Sequence, residues 1–166
     1  SMVKTGIIGG AGYTAGELIR ILLNHPQAEI GFVQSSSNAG NPVTDVHDDL
    51  LGETDLVFTE EMPFAEVDVI FLCMGHGKSK EFMASNSLPE HLKVIDLSHD
   101  FRLKREGNNF IYGLPELNRD KIKSAKNIAN PGCFATGIQL ALLPLADAAL
   151  LTDEVHIQAI TGSTGA

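Results

Sequence analysis

Cys133 closes the run Ile128-Ala129-Asn130-Pro131-Gly132 and opens Phe134-Ala135-Thr136-Gly137. Pro131 and Gly132 shape a tight turn, and the apolar segment Ile138 to Leu150 that follows reads as a long helix. The thiol therefore sits at or just before a helix N-terminus, where unpaired amides and the positive end of the helix dipole favour an anion. A free thiol has a pKa of about 8.5, and sites of this kind can bring a thiol to roughly 3.5–7.5. A cysteine beside an apolar helix can also be a small core hydrophobe, but a core residue needs no turn ahead of it. Cys133 is the candidate nucleophile.

A second chemical feature lies near the start. Gly10-Ala11-Gly12-Tyr13-Thr14-Ala15 matches GxGxxG/A, and Gly9-x-x-Gly12-x-x-Ala15 matches the related GxxGxxA. The match follows a strand and opens a helix, which is the context that lets backbone approach a pyrophosphate. Gly9, Gly10, Ala11, Gly12, Tyr13, Thr14 and Ala15 are accordingly expected to bind a dinucleotide, with Gly75 of Gly75-His76-Gly77 counted beside them. An NAD site usually has an acid at the end of the second strand. Here Gln34-Ser35-Ser36-Ser37-Asn38-Ala39-Gly40 occupies that place, with no acid until Asp45. Hydroxyls and amides accept a 2′-phosphate that a carboxylate would repel, so Ser35, Ser36 and Ser37 point to NADP(H). No Arg lies in the loop to clamp that phosphate.

Both features need a scaffold that delivers them to one edge. Val3 to Ile8, Ile30 to Val33, Val67 to Leu72 and Val94 to Leu97 read as buried strands, with a weaker one at Leu56 to Phe58. Helices are expected from Ala15 to Leu23 (Thr14 as N-cap, Glu17 in the first turn), from Gly77 to about Ser85, and from Leu117 to Ser124. Phe101 to Glu116 reads as irregular. Strands that are apolar throughout and alternate with helices indicate an α/β fold: a Rossmann-type, doubly wound, mostly parallel sheet covered on both faces.

The chain has 166 residues, 43% hydrophobic and 20% charged, as expected of a soluble domain with a real core. A formal net charge of −9 speaks against nucleic acid or an anionic membrane as partner. No apolar run is long enough to span a bilayer. Cys73 lies in an apolar strand run and Cys133 in a turn, so no disulfide framework is suggested, and a reducing, cytoplasmic setting fits. His47-Asp48-Asp49 lacks a further ligand set and reads as a solvated acidic loop, so no metal is expected. His76 and His99 read as loop residues with surface or structural roles. Ser1 before Met2 looks like the remnant of a cleaved tag. The closing Thr161-Gly162-Ser163-Thr164-Gly165-Ala166, after the strand-like Val155 to Ile160, looks like a longer chain cut short.

Together these motifs resemble the N-acetyl-γ-glutamyl-phosphate reductases, arginine-pathway members of the semialdehyde dehydrogenase superfamily. The resemblance rests on Gly9 to Leu18, Ser37-Asn38-Ala39-Gly40, Val94 to Ser98, Asp100-Phe101-Arg102-Leu103, Tyr112-Gly113-Leu114-Pro115-Glu116-Leu117, Asn130-Pro131-Gly132-Cys133 and Gly162 to Ala166. His99 and Phe134-Ala135-Thr136 depart from the usual pattern. The resemblance implies NADPH-dependent reduction of a small acyl phosphate to a semialdehyde through a thioester on Cys133. It adds Ser163 to the cofactor set and implies an acid/base His beyond Ala166, with a homo-oligomer in the full-length enzyme. Residues 1–150 would be the cofactor domain with the nucleophile turn, and 151–166 the first strand and loop of a truncated α+β catalytic domain. The fragment alone is expected to be inactive. Aspartate-semialdehyde dehydrogenase, an aminoadipyl-phosphate reductase and a non-catalytic nucleotide-sensing module are the alternatives.

Overall fold

The structure, a computed structural model, describes residues 1–165; Ala166, the last residue of the expected Gly162–Ala166 loop, lies outside the described residues. Seven strands form one sheet: β1 (Val3–Ile8), β2 (Ala28–Gln34), β3 (Phe58–Thr59), β4 (Val69–Leu72), β5 (Lys93–Asp96), β6 (Ile111–Tyr112) and β7 (Asn127–Ala129). Their order is β3-β2-β1-β4-β5-β7-β6, and every pairing in it is parallel. The helices are α1 (Tyr13–Leu23), α2 (Lys78–Ser85), α3 (Pro115–Ser124) and α4 (Cys133–Asp147). This is the expected doubly wound fold.

Alternation along the strands builds a core on each face. Ile7 packs with Ala15, Ile19 and Val33, while its neighbour Ile8 packs with Phe32, Leu72 and Phe82. Successive side chains of a strand point to opposite faces, so α1 covers one side and α2 the other. The order reverses between β1 and β4, opening a crevice beyond their C-terminal ends, where open α/β sheets bind ligands.

Several local expectations are corrected. Gly12, not Thr14, is the N-cap of α1, and its first turn holds no acid; Glu17 instead pairs with Arg20 on the surface at 2.5 Å. The weak strand is Phe58–Thr59 rather than Leu56 to Phe58. The stretch read as irregular contains β6, whose two residues carry no pattern and gain strand character only by pairing with β7. Val155 to Ile160 forms no strand: it is exposed, and an apolar run without a neighbouring ladder has nothing to pair with. No residue of α4 is buried.

Candidate active site

The first half of the site is the loop between β1 and α1. Gly9 has φ +78°, and a Cβ there would come within 3.0 Å of the backbone of Cys73 and Met74. Glycine thus permits the close approach of the loop to the end of β4. Gly12 is different. A Cβ there would meet nothing within 4 Å, so internal packing offers no reason for glycine, and the free space is on the solvent side. Gly16 donates back to the Gly12 carbonyl at 3.0 Å. The amides that open a helix have no carbonyl behind them and form a seat for phosphate oxygens. Gln34 secures the loop from β2: its Oε1 accepts from Gly9 N at 3.1 Å and its carbonyl from Gly10 N at 2.7 Å.

A cleft of about 880 Å³ opens in front of this loop, with Gly9, Ala11, Gly12, Ser35, Ser36 and Ser37 in its lining. Gly10 and Ala15 are buried beneath it, Ala15 within the core, in the helix-packing role of the motif's third position. Tyr13, Thr14 and Gly75 are exposed and lie outside the lining, and Ser163 is exposed in the C-terminal segment, also outside it. Ser35 Oγ and Ser37 Oγ each accept from Asn38 Nδ2 at 3.1 Å, and Ser36 Oγ accepts from Gln34 Nε2 at 3.1 Å. All three hydroxyls therefore keep a proton to donate to an anion. Lys78, the first residue of α2, also lines the cleft and is paired with Glu81 at 3.4 Å. The cation of this cleft comes from another element than the serine loop, which itself holds no Arg. An open backbone cradle, three hydroxyls and a lysine fit a dinucleotide phosphate.

The turns after β4 and β5 are tied together. Asp96, at the end of β5, is fully buried and accepts from Ser79 Oγ at 2.5 Å, Ser98 Oγ at 2.7 Å and Ser98 N at 3.1 Å. Asp100 accepts from Gly77 N at 2.7 Å and Lys80 N at 3.0 Å, so it caps α2 from a distant loop. Burial works to raise the Asp100 pKa, but those two amides and the neighbouring His99 and His76 outweigh it and hold the carboxyl below its ordinary value. His76 and His99 stack at 4.1 Å between ring centroids, exposed beside this cap. Sequence reasoning assigned Asp100 no role; its partners lie 20 and 23 positions back along the chain.

The second half of the site is the turn after β7. Cys133 is the first residue of α4, exposed and free, behind the N-cap Gly132. Thr136 anchors that cap, donating from N at 2.9 Å and from Oγ1 at 2.8 Å to the Gly132 carbonyl. Arg102 reaches in from the loop after β5, donating from Nε to the Asn130 carbonyl at 2.9 Å and from Nη2 to the Leu97 carbonyl at 3.0 Å. Gln139 Nε2 donates to Tyr112 Oη at 2.7 Å, tying α4 to the Tyr112–Leu117 motif. Cys133 lines a separate cleft of about 420 Å³ with Phe134, Ile138 and the segment from Val155 to Ile160. Cys73 instead lines the cofactor cleft; desolvation, reinforced by the Asp96 charge, pushes its thiol up to about 12.

Because all the strands are parallel, the glycine loop after β1 and the Cys133 turn after β7 leave the same edge of the sheet. His47, expected in a solvated loop, is buried against the glycine loop, its Nε2 2.7 Å from the Gly10 carbonyl oxygen. Among the described residues, no group of three or more His, Cys, Asp or Glu is gathered as a metal site, and no helix is long and apolar enough to cross a membrane.

The family described as "Semialdehyde dehydrogenase, NAD binding domain" matches residues 4–125, and "Semialdehyde dehydrogenase, dimerisation domain" matches residues 133–166. The chain is 64% identical over 165 residues to the N-acetyl-γ-glutamyl-phosphate reductases of Phocaeicola vulgatus and Bacteroides thetaiotaomicron, a match covering 99% of this chain and 51% of each relative. It thus spans about half the length of those curated relatives. Its fold is similar to that of a crystal structure of aspartate semialdehyde dehydrogenase with NADP from Candida albicans. The TM-score is 0.70 at 23% identity, covering 91% of this chain and 48% of that one.

Proposed function

The chain belongs to the semialdehyde dehydrogenase family, and from that premise we propose that it is the cofactor-binding, nucleophile-bearing part of an NADPH-dependent N-acetyl-γ-glutamyl-phosphate reductase. One observation carries the reading: an exposed, free cysteine opens a helix on the sheet edge from which the glycine loop also leaves. The relatives' names suggest the substrate, and the chain's own residues suggest how it is handled.

Cys133 sulfur attacks the γ-carbonyl carbon of the acyl phosphate; the carbon–oxygen bond to phosphate breaks, phosphate leaves with the electron pair, and a thioester remains. The Arg102 guanidinium beside the turn offsets negative charge that gathers during the attack. NADPH, when bound, supplies the hydride that takes the thioester to the aldehyde level. Glycine-loop amides hold the pyrophosphate, while Ser35, Ser36, Ser37 and Lys78 take the 2′-phosphate. The acid/base His and the rest of the α+β catalytic domain are supplied by residues beyond this segment, and the full-length protein forms a homo-oligomer in the cytoplasm.

The test uses the full-length protein containing this segment. N-acetyl-γ-glutamyl phosphate should be reduced with NADPH, and aspartyl and aminoadipyl phosphates should be poor substrates. Cys133→Ser should abolish turnover while leaving NADPH affinity unchanged. Substantial turnover by the serine variant would overturn the assignment.

A further inference from the structure

We propose that His47 is a positioning residue for the cofactor loop: it aims the Ala11 amide into the cleft by holding the Gly10 carbonyl from behind. The proposal rests on the cofactor reading above. His47 is 7% exposed, and its Nε2 lies 2.7 Å from Gly10 O. A carbonyl can only accept, so Nε2 carries the proton and the tautomer follows from the contact.

Gly10 C=O and Ala11 N–H belong to one peptide plane. No peptide bond in the described residues is cis, so these two groups point in opposite directions. Drawing the oxygen inward to His47 turns the Ala11 N–H outward, and Ala11 lines the 880 Å³ cleft. The Gly10 amide is meanwhile held by Gln34 O at 2.7 Å, so the loop is fixed from β2 and from His47 independently.

The ring is itself rigidly delivered. His47 N donates to Val43 O at 3.0 Å, and Leu50 N donates to His47 O at 3.1 Å, so His47 is held between two short 3₁₀ turns anchored by the buried Val43 and Leu50. Its other edge faces α1: a Cβ on Gly16 would lie 2.6 Å from Nδ1. Gly16 is therefore glycine to admit this ring, and the ring ties the loop to the first turn of the helix that forms the phosphate seat.

The experiment measures NADPH binding by calorimetry on the full-length protein and its His47→Leu and His47→Gln variants, with steady-state kinetics, thermal melting and Cys133 alkylation alongside. Loss of one oriented donor should raise the NADPH Kd and KM of His47→Leu about tenfold, with kcat and Cys133 alkylation nearly unchanged. Gln carries a donor at the reach of Nε2 and should restore most of the affinity. Folded His47→Leu protein that binds NADPH like the parent, or a Gln variant as impaired as Leu, would overturn the proposal. If His47→Leu does not fold, Gly16→Ala takes its place, since its methyl displaces the ring; unchanged NADPH affinity there is equally fatal. Failure of the parent protein to bind any nicotinamide cofactor would show before any substitution that the cofactor reading itself is wrong, and the proposal would fall with it.

Discussion

The Arg102 guanidinium stands directly against Gly132: a Cβ added at Gly132 would lie 2.9 Å from Nη1. The cation and the residue ahead of the nucleophile share one space, and a side chain at Gly132 would push the guanidinium off its position. Arg102 also bonds Asn130 O and Leu97 O, so it joins the turn after β5 to the turn after β7 while presenting charge beside Gly132. In the full-length enzyme, Arg102→Leu should lower kcat/KM by roughly 10²–10³-fold, the range for removing a preorganised electrostatic donor. Arg102→Lys should recover little, because a point charge cannot span the two carbonyls. Steady-state kinetics of both variants checks this, and near-parental activity for Arg102→Leu would contradict it.

Alkylation should separate the two thiols. Cys133 is exposed at a helix start, whereas Cys73 has its thiol pushed up to about 12 by desolvation. Iodoacetamide at neutral pH should label Cys133 much faster, as read by peptide mass spectrometry over time. Equal rates would mean that the exposure of Cys133 and the desolvation of Cys73 do not set their reactivity.

Cofactor preference should follow the cleft. NADP(H) is expected to bind more tightly than NAD(H), and Lys78→Ala should weaken NADP(H) severalfold while leaving NAD(H) nearly unchanged, the difference shrinking as salt rises. A bulky residue at Gly12 should weaken both cofactors by filling the space in front of the loop. Calorimetric titration of each cofactor decides the matter, and a clear NAD preference would be the damaging result.

Asp100 should be a stability residue with an acid signature. Asp100→Ala removes the cap of α2 and should cost about 1 kcal/mol, within the range for lost helix caps. Its folded pKa is depressed below the ordinary 3.8, so the folded state holds the carboxylate more tightly than the unfolded chain does. The stabilisation is therefore present above that value and is lost as pH falls through the lower folded one. Melting curves from neutral to acid pH should show the parent and Asp100→Ala converging as the carboxyl is protonated. A constant gap would argue against this coupling.

The 166-residue chain by itself should fold, lack reductase activity and self-associate. It forms a seven-stranded sheet with a core on each face, but Phe134, Leu140, Leu145, Leu150 and Ile157 are all more than 40% exposed. Exposed apolar side chains in this number drive association. Light scattering across a dilution series and a turnover assay beside the full-length enzyme test both halves. Comparable turnover would show that the active site is complete within this segment.

The strands β1, β2, β4 and β5, the glycine loop and the Cys133 turn were legible in the sequence because each is written in consecutive residues. Apolar runs mark buried parallel strands, and a Gly-rich turn between a strand and a helix is recognisable wherever it occurs. His47, Asp100, Arg102 and Lys78 were not legible as parts of the site. Each acts on a segment distant in sequence: His47 on the Gly10 carbonyl, Asp100 on the start of α2, Arg102 on the turn before Cys133, and Lys78 from α2 on the cleft facing the serine loop. His47 even misled, since two neighbouring acids make it look solvated while two buried hydrophobes, Val43 and Leu50, fold it inward. Val155 to Ile160 failed in the opposite way, having the composition of a strand without a partner to complete one. Composition and spacing determine what a segment can form by itself. Hydrogen bonds between segments, and the burial that makes them strong, come into being only when the parallel sheet brings its loops to one edge.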